Sequence, residues 1–294
     1  MAPTTLDLPT TLDCRGRPLA VGAGAAHVMG ILNVTPDSFF DGGRYDRTEA
    51  AVERAFDMAD AGAAILDIGG ESTRPGAPPV GLDDELARVV PVVEALAQRL
   101  PQVLLSVDTS KAPVARAALR AGAHLVNDVT GLRDGVGTAV AAADFGAPLI
   151  VMHALGRTGG TAAPGAYGDV VDDVAASLRQ SVARAEEVGV RDVIVDPGFG
   201  FGKTPQQNLR LIDRLDRLAL GRPVLVGVSR KSTIGVVLGS ARHPVPADRR
   251  LYGSLALAAL AVLRGASIVR AHDVRATVET VRVLQAARDA GADT

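Results

Sequence analysis

The chain has 294 residues, 47% of them hydrophobic and 22% charged, and a formal net charge of -2. That length suits one large domain or two small ones, and the near-neutral balance argues against nucleic acid or any other polyanionic partner, which would favour a basic surface. The only cysteine, Cys14, rules out a disulfide framework and a thiolate zinc cluster and fits a reducing, cytoplasmic compartment.

Residues 1–27 read as an N-terminal extension, in which Cys14-Arg-Gly-Arg-Pro18 turns between two short strands and closes one end of the fold. Met1 to Asp13 has neither the basic region nor the apolar core of a signal peptide. From there residues 28–294 form a single domain with a regular pattern. Apolar runs end in a polar residue at Asn33, Asp67, Asp108, Asn127, His153, Asp196, Ser229 and Arg270. Helical segments lie between them, such as Thr48–Ala61 with Val52, Ala55, Phe56 and Ala59 on one face. Pro91, inside the helical segment Asp83–Arg99, predicts a kink or a late start. Helices are expected to stop at Gly62, Gly122, Gly146, Gly189 and Gly265, each leading straight into the next strand. Leu255–Leu263 is the longest apolar run and falls far short of the roughly 20 residues a membrane span needs, so no membrane partner is expected.

Eight strand–helix alternations over about 265 residues match a (β/α)8 TIM barrel with a hairpin-like extension. A doubly wound open sheet would want a dinucleotide glycine fingerprint after the first strand, and Gly30-Ile-Leu-Asn33 lacks one. In a barrel the polar strand ends converge on one face, where barrel enzymes keep their active sites.

The residues at those ends carry the chemistry. Asn33 both donates and accepts, so it could hold a metal ion or a phosphate-bound water. Gly69-Gly70 and Ser72-Thr73-Arg74 resemble an anion-binding loop. Asp108, Asn127 and Asp196 around one cavity suit a flat heterocycle rich in N–H and C=N groups, since carboxylates accept two hydrogen bonds from an aminopyrimidine edge. Asp128 is as well suited to capping a helix as to holding a ligand, and His153 reads as an inward-packed barrel histidine. His27, His124 and His243 read as structural or exposed.

The stretch Val193–Thr204 is a buried strand that delivers Asp196 to a loop of Pro197, three glycines and two phenylalanines. Gly202-Lys203-Thr204 is not a nucleotide-binding loop, because Pro197 stands where that motif needs glycine. Ser229-Arg-Lys-Ser232 and Arg270-Ala-His272 bring two arginines, a lysine and a histidine to the loops where barrels usually bind phosphate. No nucleophile–histidine pair is apparent. Lysine occurs only at Lys111, Lys203 and Lys231, each just past a predicted strand, which points to places where arginine will not serve.

Leu32-Asn-Val-Thr-Pro-Asp-Ser-Phe39, Asp67-Ile-Gly-Gly-Glu-Ser-Thr-Arg-Pro-Gly76, Asp196-Pro-Gly-Phe-Gly-Phe-Gly-Lys203, Ser229-Arg-Lys231 and Arg270-Ala-His272, in that order, resemble the dihydropteroate synthase family of pterin-binding barrels. These are the sulfonamide-target transferases of folate biosynthesis. The resemblance implies that 6-hydroxymethyl-7,8-dihydropterin diphosphate loses pyrophosphate to p-aminobenzoate by an SN1-like path, giving 7,8-dihydropteroate. It implies pterin binding by Asp108, Asn127, Met152, Asp196, Phe201 and Lys231. Asn33, Thr73, Arg74, Arg270 and His272 would hold the diphosphate, with Mg²⁺ at Asn33. Phe39, Thr73, Pro75, Phe201, Lys231 and Ser232 would line the p-aminobenzoate pocket. Lys231, Asp196, Arg270, His272, Thr73 and Arg74 are the implied catalytic set, in a cytoplasmic homodimer. One departure is the loop after His153, glycine-rich here (Ala154–Gly160) where the family carries methionine and proline. The alternatives are a methyltetrahydrofolate-dependent methyltransferase of the same barrel group, which would not need the diphosphate cluster, and a non-catalytic pterin-binding paralogue, which should show decay in the first two loops.

Overall fold

The computed structural model describes residues 10–22, 24–35, 44–72, 77–155 and 167–292. An antiparallel hairpin, β1 (Thr11–Asp13) and β2 (Pro18–Ala20), precedes eight parallel strands. These are β3 (His27–Asn33), β4 (Ile65–Gly69), β5 (Leu104–Asp108), β6 (Leu125–Asp128), β7 (Leu149–Met152), β8 (Val193–Asp196), β9 (Leu225–Val226) and β10 (Ile268–Ala271). The ladder runs β8-β7-β6-β5-β4-β3-β10-β9. A single parallel bridge between Val195 and Val224, with Val195 N–H donating to Pro223 at 3.0 Å, joins its two ends. The sheet is therefore a (β/α)8 barrel, closed most thinly between β8 and β9.

Ten helices are described: α1 (Arg44–Asp60), α2 (Leu82–Arg99), α3 (Ala112–Ala121), α4 (Gly137–Phe145), α5 (Val170–Glu187), α6 (Pro205–Asp213), α7 (Leu215–Leu218), α8 (Ser232–Leu238), α9 (Leu251–Leu263) and α10 (Val274–Ala292). The five glycines expected to end helices all have positive φ, from 62° at Gly146 to 114° at Gly122. Helix α2 starts at Leu82 and runs through Pro91, so the late start is not found. Its acidic first turn and the buried row Val89, Val92, Val93 and Leu96 supply what the missing amide does not.

Alternation along the strands fills the barrel in layers. The lowest is apolar: Met29, Ile65, Leu104, Leu125, Ile150, Ile194, Leu225 and Ile268, one from each strand, pack with Leu12, Cys14, Leu19 and Val21 of the hairpin. Burying each such side chain stabilises by about 1.5–3 kcal/mol. The hairpin is a plug for the N-terminal mouth, latched by Arg15 on the carbonyls of Leu119 and Ala123 and by Arg17 on those of Gln102 (2.8 Å) and Val103 (3.1 Å). Two residues further along the strands the lining turns polar, with Asp67, Ser106, Asn127, Asp196 and Arg270. That switch opens the barrel toward its C-terminal face.

Two strand ends differ from the sequence pattern by more than one residue. Asp67 is the middle residue of β4, because Ile68 is buried and the ladder continues to Gly69 opposite Asp108. Strand β9 has only two residues and stops three short of Ser229. Gly227 follows, where a side chain would come within 3.8 Å of Lys231 Nζ and 3.9 Å of Arg270 Cβ.

Candidate active site

A cavity of about 560 Å³ opens at the C-terminal ends of the strands. Asn33, Asn127, Met152, Asp196, Phe201, Lys231, Ser232, Arg270 and His272 all line it, so most of the residues singled out in the sequence meet in one place. Phe39, Thr73, Arg74 and Pro75 lie outside the described residues, as does most of the glycine-rich fifth loop. Ser72, the last described residue before that second gap, reaches the cavity wall.

The floor is an ionic network. Arg270, on β10, donates from Nε to Asp67 Oδ2 at 2.6 Å and from Nη2 to Asp108 Oδ2 at 2.8 Å. Asn127 Nδ2 donates to the same Asp67 oxygen at 3.0 Å. Burial opposes the Arg270 charge, but the two carboxylates outweigh it and its pKa is raised. Burial pushes the Asp108 carboxyl up, with Arg270 pulling the other way. Asp67 was read only as a strand end; its role as the carboxylate under Arg270 follows from the inward register of β4. Asp67 Oδ1 and Ser106 Oγ, on neighbouring strands, have no protein partner. Such buried polar atoms mark a place that water or a bound polar molecule satisfies.

The opposite wall is built by loops. Asp196 closes β8, accepts from Gly198 N–H at 2.7 Å and has its pKa raised by burial, with Lys231 opposing. Lys231 caps α8 and donates to the Phe199 carbonyl, while its Nζ sits 4.4 Å from the Phe201 ring centre. Burial lowers Lys231 to about 8, with Asp196 holding the charge. At Gly200 (φ 84°) a Cβ would stand 2.8 Å from Lys231 Cδ, so this glycine makes room for the lysine stem.

The two loops beyond β9 and β10 are tied at consecutive positions. Ser229 Oγ accepts from His272 N–H at 3.2 Å and lies 3.1 Å from His272 Nδ1. Arg230 pairs both nitrogens of its fork with Asp273, one of them at 2.9 Å. Arg230, which also lines the cavity, is thus engaged by Asp273 and braces the loop that carries His272. Its backbone has φ 58°, uncommon outside glycine, and is held by Ser254 Oγ on its N–H (2.9 Å) and Arg250 on its carbonyl (2.8 Å).

Asp128 points away from the cavity: its oxygens accept from Thr130 N–H (2.8 Å), Thr130 Oγ1 (2.6 Å) and Thr138 Oγ1 (2.5 Å). It braces its own loop and caps no helix, since Val136 stands at the N-cap of α4. His153 packs against Tyr167 behind the wall, and burial drops it to about 3, so it is neutral at any working pH. Lys111 bridges Glu71 and the buried Glu85, anchoring the start of the second loop to α2.

A sequence profile of the pterin binding enzyme family matches residues 29–272. The chain is 47% identical over 263 residues, 88% of its length and 91% of the relative's, to a dihydropteroate synthase of Escherichia coli strain K12. It superposes with TM-score 0.85 and 44% identity on a Xanthomonas albilineans dihydropteroate synthase solved with 4-aminobenzoic acid, covering 95% of this chain and 98% of that one. A Burkholderia cenocepacia dihydropteroate synthase complexed with 7,8-dihydropteroate matches with TM-score 0.84 and 44% identity, over 98% of this chain and 99% of that one.

Proposed function

The chain belongs to the family of pterin-binding enzymes, and from that premise we propose that it works as a dihydropteroate synthase. It is a transferase that condenses 6-hydroxymethyl-7,8-dihydropterin diphosphate with p-aminobenzoate to 7,8-dihydropteroate and pyrophosphate. The observation that carries this reading is one cavity lined by Asn127 and Asp196 together with Lys231, Arg270 and His272. Neither a corrinoid methyltransferase nor a non-catalytic paralogue is favoured by the relatives it matches.

The chemistry follows from these groups. The buried Asp196 and Asn127 pair with the N–H and ring-nitrogen edge of the pterin, Lys231 donates to its carbonyl, and Met152 and Phe201 face its ring. The C–O bond between the pterin methylene and the diphosphate breaks, and its electron pair leaves with the phosphate oxygen. Arg270 and His272 stabilise the negative charge that develops there. The methylene cation is delocalised into the pterin, so no protein nucleophile is required. The amine nitrogen of p-aminobenzoate, held between Phe201 and the Ser232 end of α8, forms the new C–N bond and gives up a proton to the departing diphosphate. Phe39, Thr73, Arg74 and Pro75 are assigned to the closing loops that keep water from capturing the cation.

Mg²⁺ fits Asn33, whose half-buried side chain on the cavity wall offers one hard oxygen. This ion commonly takes one or two protein ligands and fills its shell with waters and substrate phosphates. Among the described residues no group of three or more His, Cys, Asp and Glu is arranged to hold a metal. When bound it supplies charge to offset that of the leaving group.

Two further assignments belong to the same reading. Tyr252 (83% exposed) and Leu263 on α9, and Val237 and Leu238 on α8, are exposed apolar side chains, which suits pairing of two copies of the chain. Sedimentation at two concentrations tests that homodimer. A lone buried cysteine, its thiol pushed up to about 12 by burial, fits residence in the cytoplasm; no described helix is long and apolar enough to cross a membrane. The function itself is tested by mass spectrometry: dihydropteroate should form only when pterin diphosphate, p-aminobenzoate and Mg²⁺ are all supplied.

A further inference from the structure

Lys203 is 5% exposed, and the chemistry above does not use it. Its Nζ donates to the carbonyls of Gly198 (2.8 Å), Phe201 (3.0 Å) and His153 (3.4 Å). Two of these oxygens belong to the loop after β8 and the third to the loop after β7. A lysine side chain thus sits where three backbone carbonyls converge, much as a small bound cation would.

The loop around it is tightly specified. A Cβ on Gly198 would collide with the His153 carbonyl, so the two loops are in backbone contact. Asn208 accepts from Gly200 N–H at 2.7 Å and donates to Thr233 Oγ1 at 2.9 Å, linking the loop to α8. Thr204, next to Lys203, caps α6 through a reciprocal pair with Gln207 (3.2 and 2.9 Å). The loop's other products are the Phe199 carbonyl that receives Lys231 and the Phe201 ring beneath its Nζ.

We propose that Lys203 is a positioning residue for the p-aminobenzoate side of the pocket: by drawing three carbonyls together it holds Phe201 and the Phe199 carbonyl in place for Lys231. The proposal rests on the reading of Phe201 and Lys231 as walls of that subsite. Arginine could not take this position, because its planar fork has no single point at which three converging oxygens meet.

The charge state bears on how the brace opens. Burial lowers Lys203 to about 7, with Asp196 at the end of β8 holding the proton and Lys231 before α8 and Arg133 after β6 expelling it. His153, the remaining described ionisable side chain facing it, stays neutral. An opened loop returns the lysine to water and to its ordinary value of 10.5. Opening therefore takes up a proton between about pH 7 and 10.5, and becomes rarer as pH rises through that window, by up to about tenfold per unit. The neutral amine keeps two N–H donors for the nearest carbonyls.

The experiment measures hydrogen exchange of the peptide spanning residues 197–204, corrected for intrinsic rates, alongside steady-state kinetics, in the full-length parent, Lys203→Met and Lys203→Arg. The expected result is exchange at least tenfold faster in both variants, with peptides from β5 and α3 unchanged. The KM for p-aminobenzoate should rise tenfold or more while kcat falls less than threefold. In the parent the opening constant should fall between pH 7 and 9, and this slope should be lost in Lys203→Met. Exchange and KM within twofold of the parent in Lys203→Met, or full rescue by Lys203→Arg, would overturn the proposal. So would fast exchange with an unchanged KM. A parent without synthase activity would overturn the functional reading instead and leave exchange to judge the brace. If neither variant folds, the parent's pH dependence decides: a flat opening constant overturns the proposal.

Discussion

Lys231→Arg is the substitution that most sharply separates a shaped contact from a general positive charge. Lys231 Nζ donates to the Phe199 carbonyl and lies 4.4 Å from the Phe201 ring centre, while its stem runs past Gly200 where even a Cβ would be 2.8 Å away. A guanidinium is longer and planar and has no room to turn there. Losing the hydrogen bond that this charged donor gives to the pterin carbonyl costs about 1.5–3 kcal/mol. Losing the cation–π contact costs a further ~0.5–1 kcal/mol. The sum, about 2–4 kcal/mol, corresponds to a roughly 30- to 1,000-fold fall in kcat/KM. Lys231→Ala should lose about as much, and the loss should not shrink in high salt, as it would for an exposed steering charge. Steady-state kinetics of both variants at two ionic strengths, with a thermal melt as folding control, is the assay. Recovery of activity by arginine to within threefold of the parent would refute the reasoning.

Three other outcomes follow from the same contacts. Asp196→Asn keeps the shape but turns an acceptor into a donor against the pterin edge, so calorimetry should show pterin binding weakened by about 1–3 kcal/mol; affinity equal to the parent's would make Asp196 purely structural. Because Arg230 has φ 58°, Arg230→Gly should melt higher than Arg230→Ala, by about 1 kcal/mol of stability, and equal melting would refute the strain. Lys231 is lowered from its ordinary 10.5 to about 8, so the unfolded chain holds a proton that the folded chain has lost between those values. Stability to urea should therefore rise with pH above 8, less steeply in Lys231→Met, while pterin diphosphate binding weakens over the same range as the ammonium is lost; a urea midpoint independent of pH in the parent would contradict the burial of this lysine.

Much of this was legible along the chain because barrel strands are short apolar runs with polar ends, and helices return through glycine. The eight runs, the hairpin and the meeting of Asn33, Asn127, Asp196, Lys231, Arg270 and His272 all follow from that regularity. What was not legible depends on neighbours around the ring. Asp67 and Arg270 are 203 residues apart, and only the register of β3, β4 and β10 brings them to 2.6 Å. The pairing of Arg230 with Asp273 was not legible either, because nothing in its local sequence reveals a partner on the neighbouring loop. Asp128 was undecided from sequence because its inward or outward direction depends on a one-residue register, which turns it toward Thr130 and Thr138. The scarcity of lysine was a usable signal: all three amino groups tie a loop at the C-terminal face to a neighbouring element, Lys111 through carboxylates and Lys203 and Lys231 through carbonyls.

The central claim is that one site couples departure of the diphosphate to capture by p-aminobenzoate. The most direct measurement is the ratio of pyrophosphate released to dihydropteroate formed, followed together in one reaction with Mg²⁺, with and without p-aminobenzoate. The account predicts a ratio of one to one, and pyrophosphate release that falls to background when p-aminobenzoate is withheld. Pyrophosphate released without dihydropteroate, or at the same rate with and without p-aminobenzoate, would contradict it.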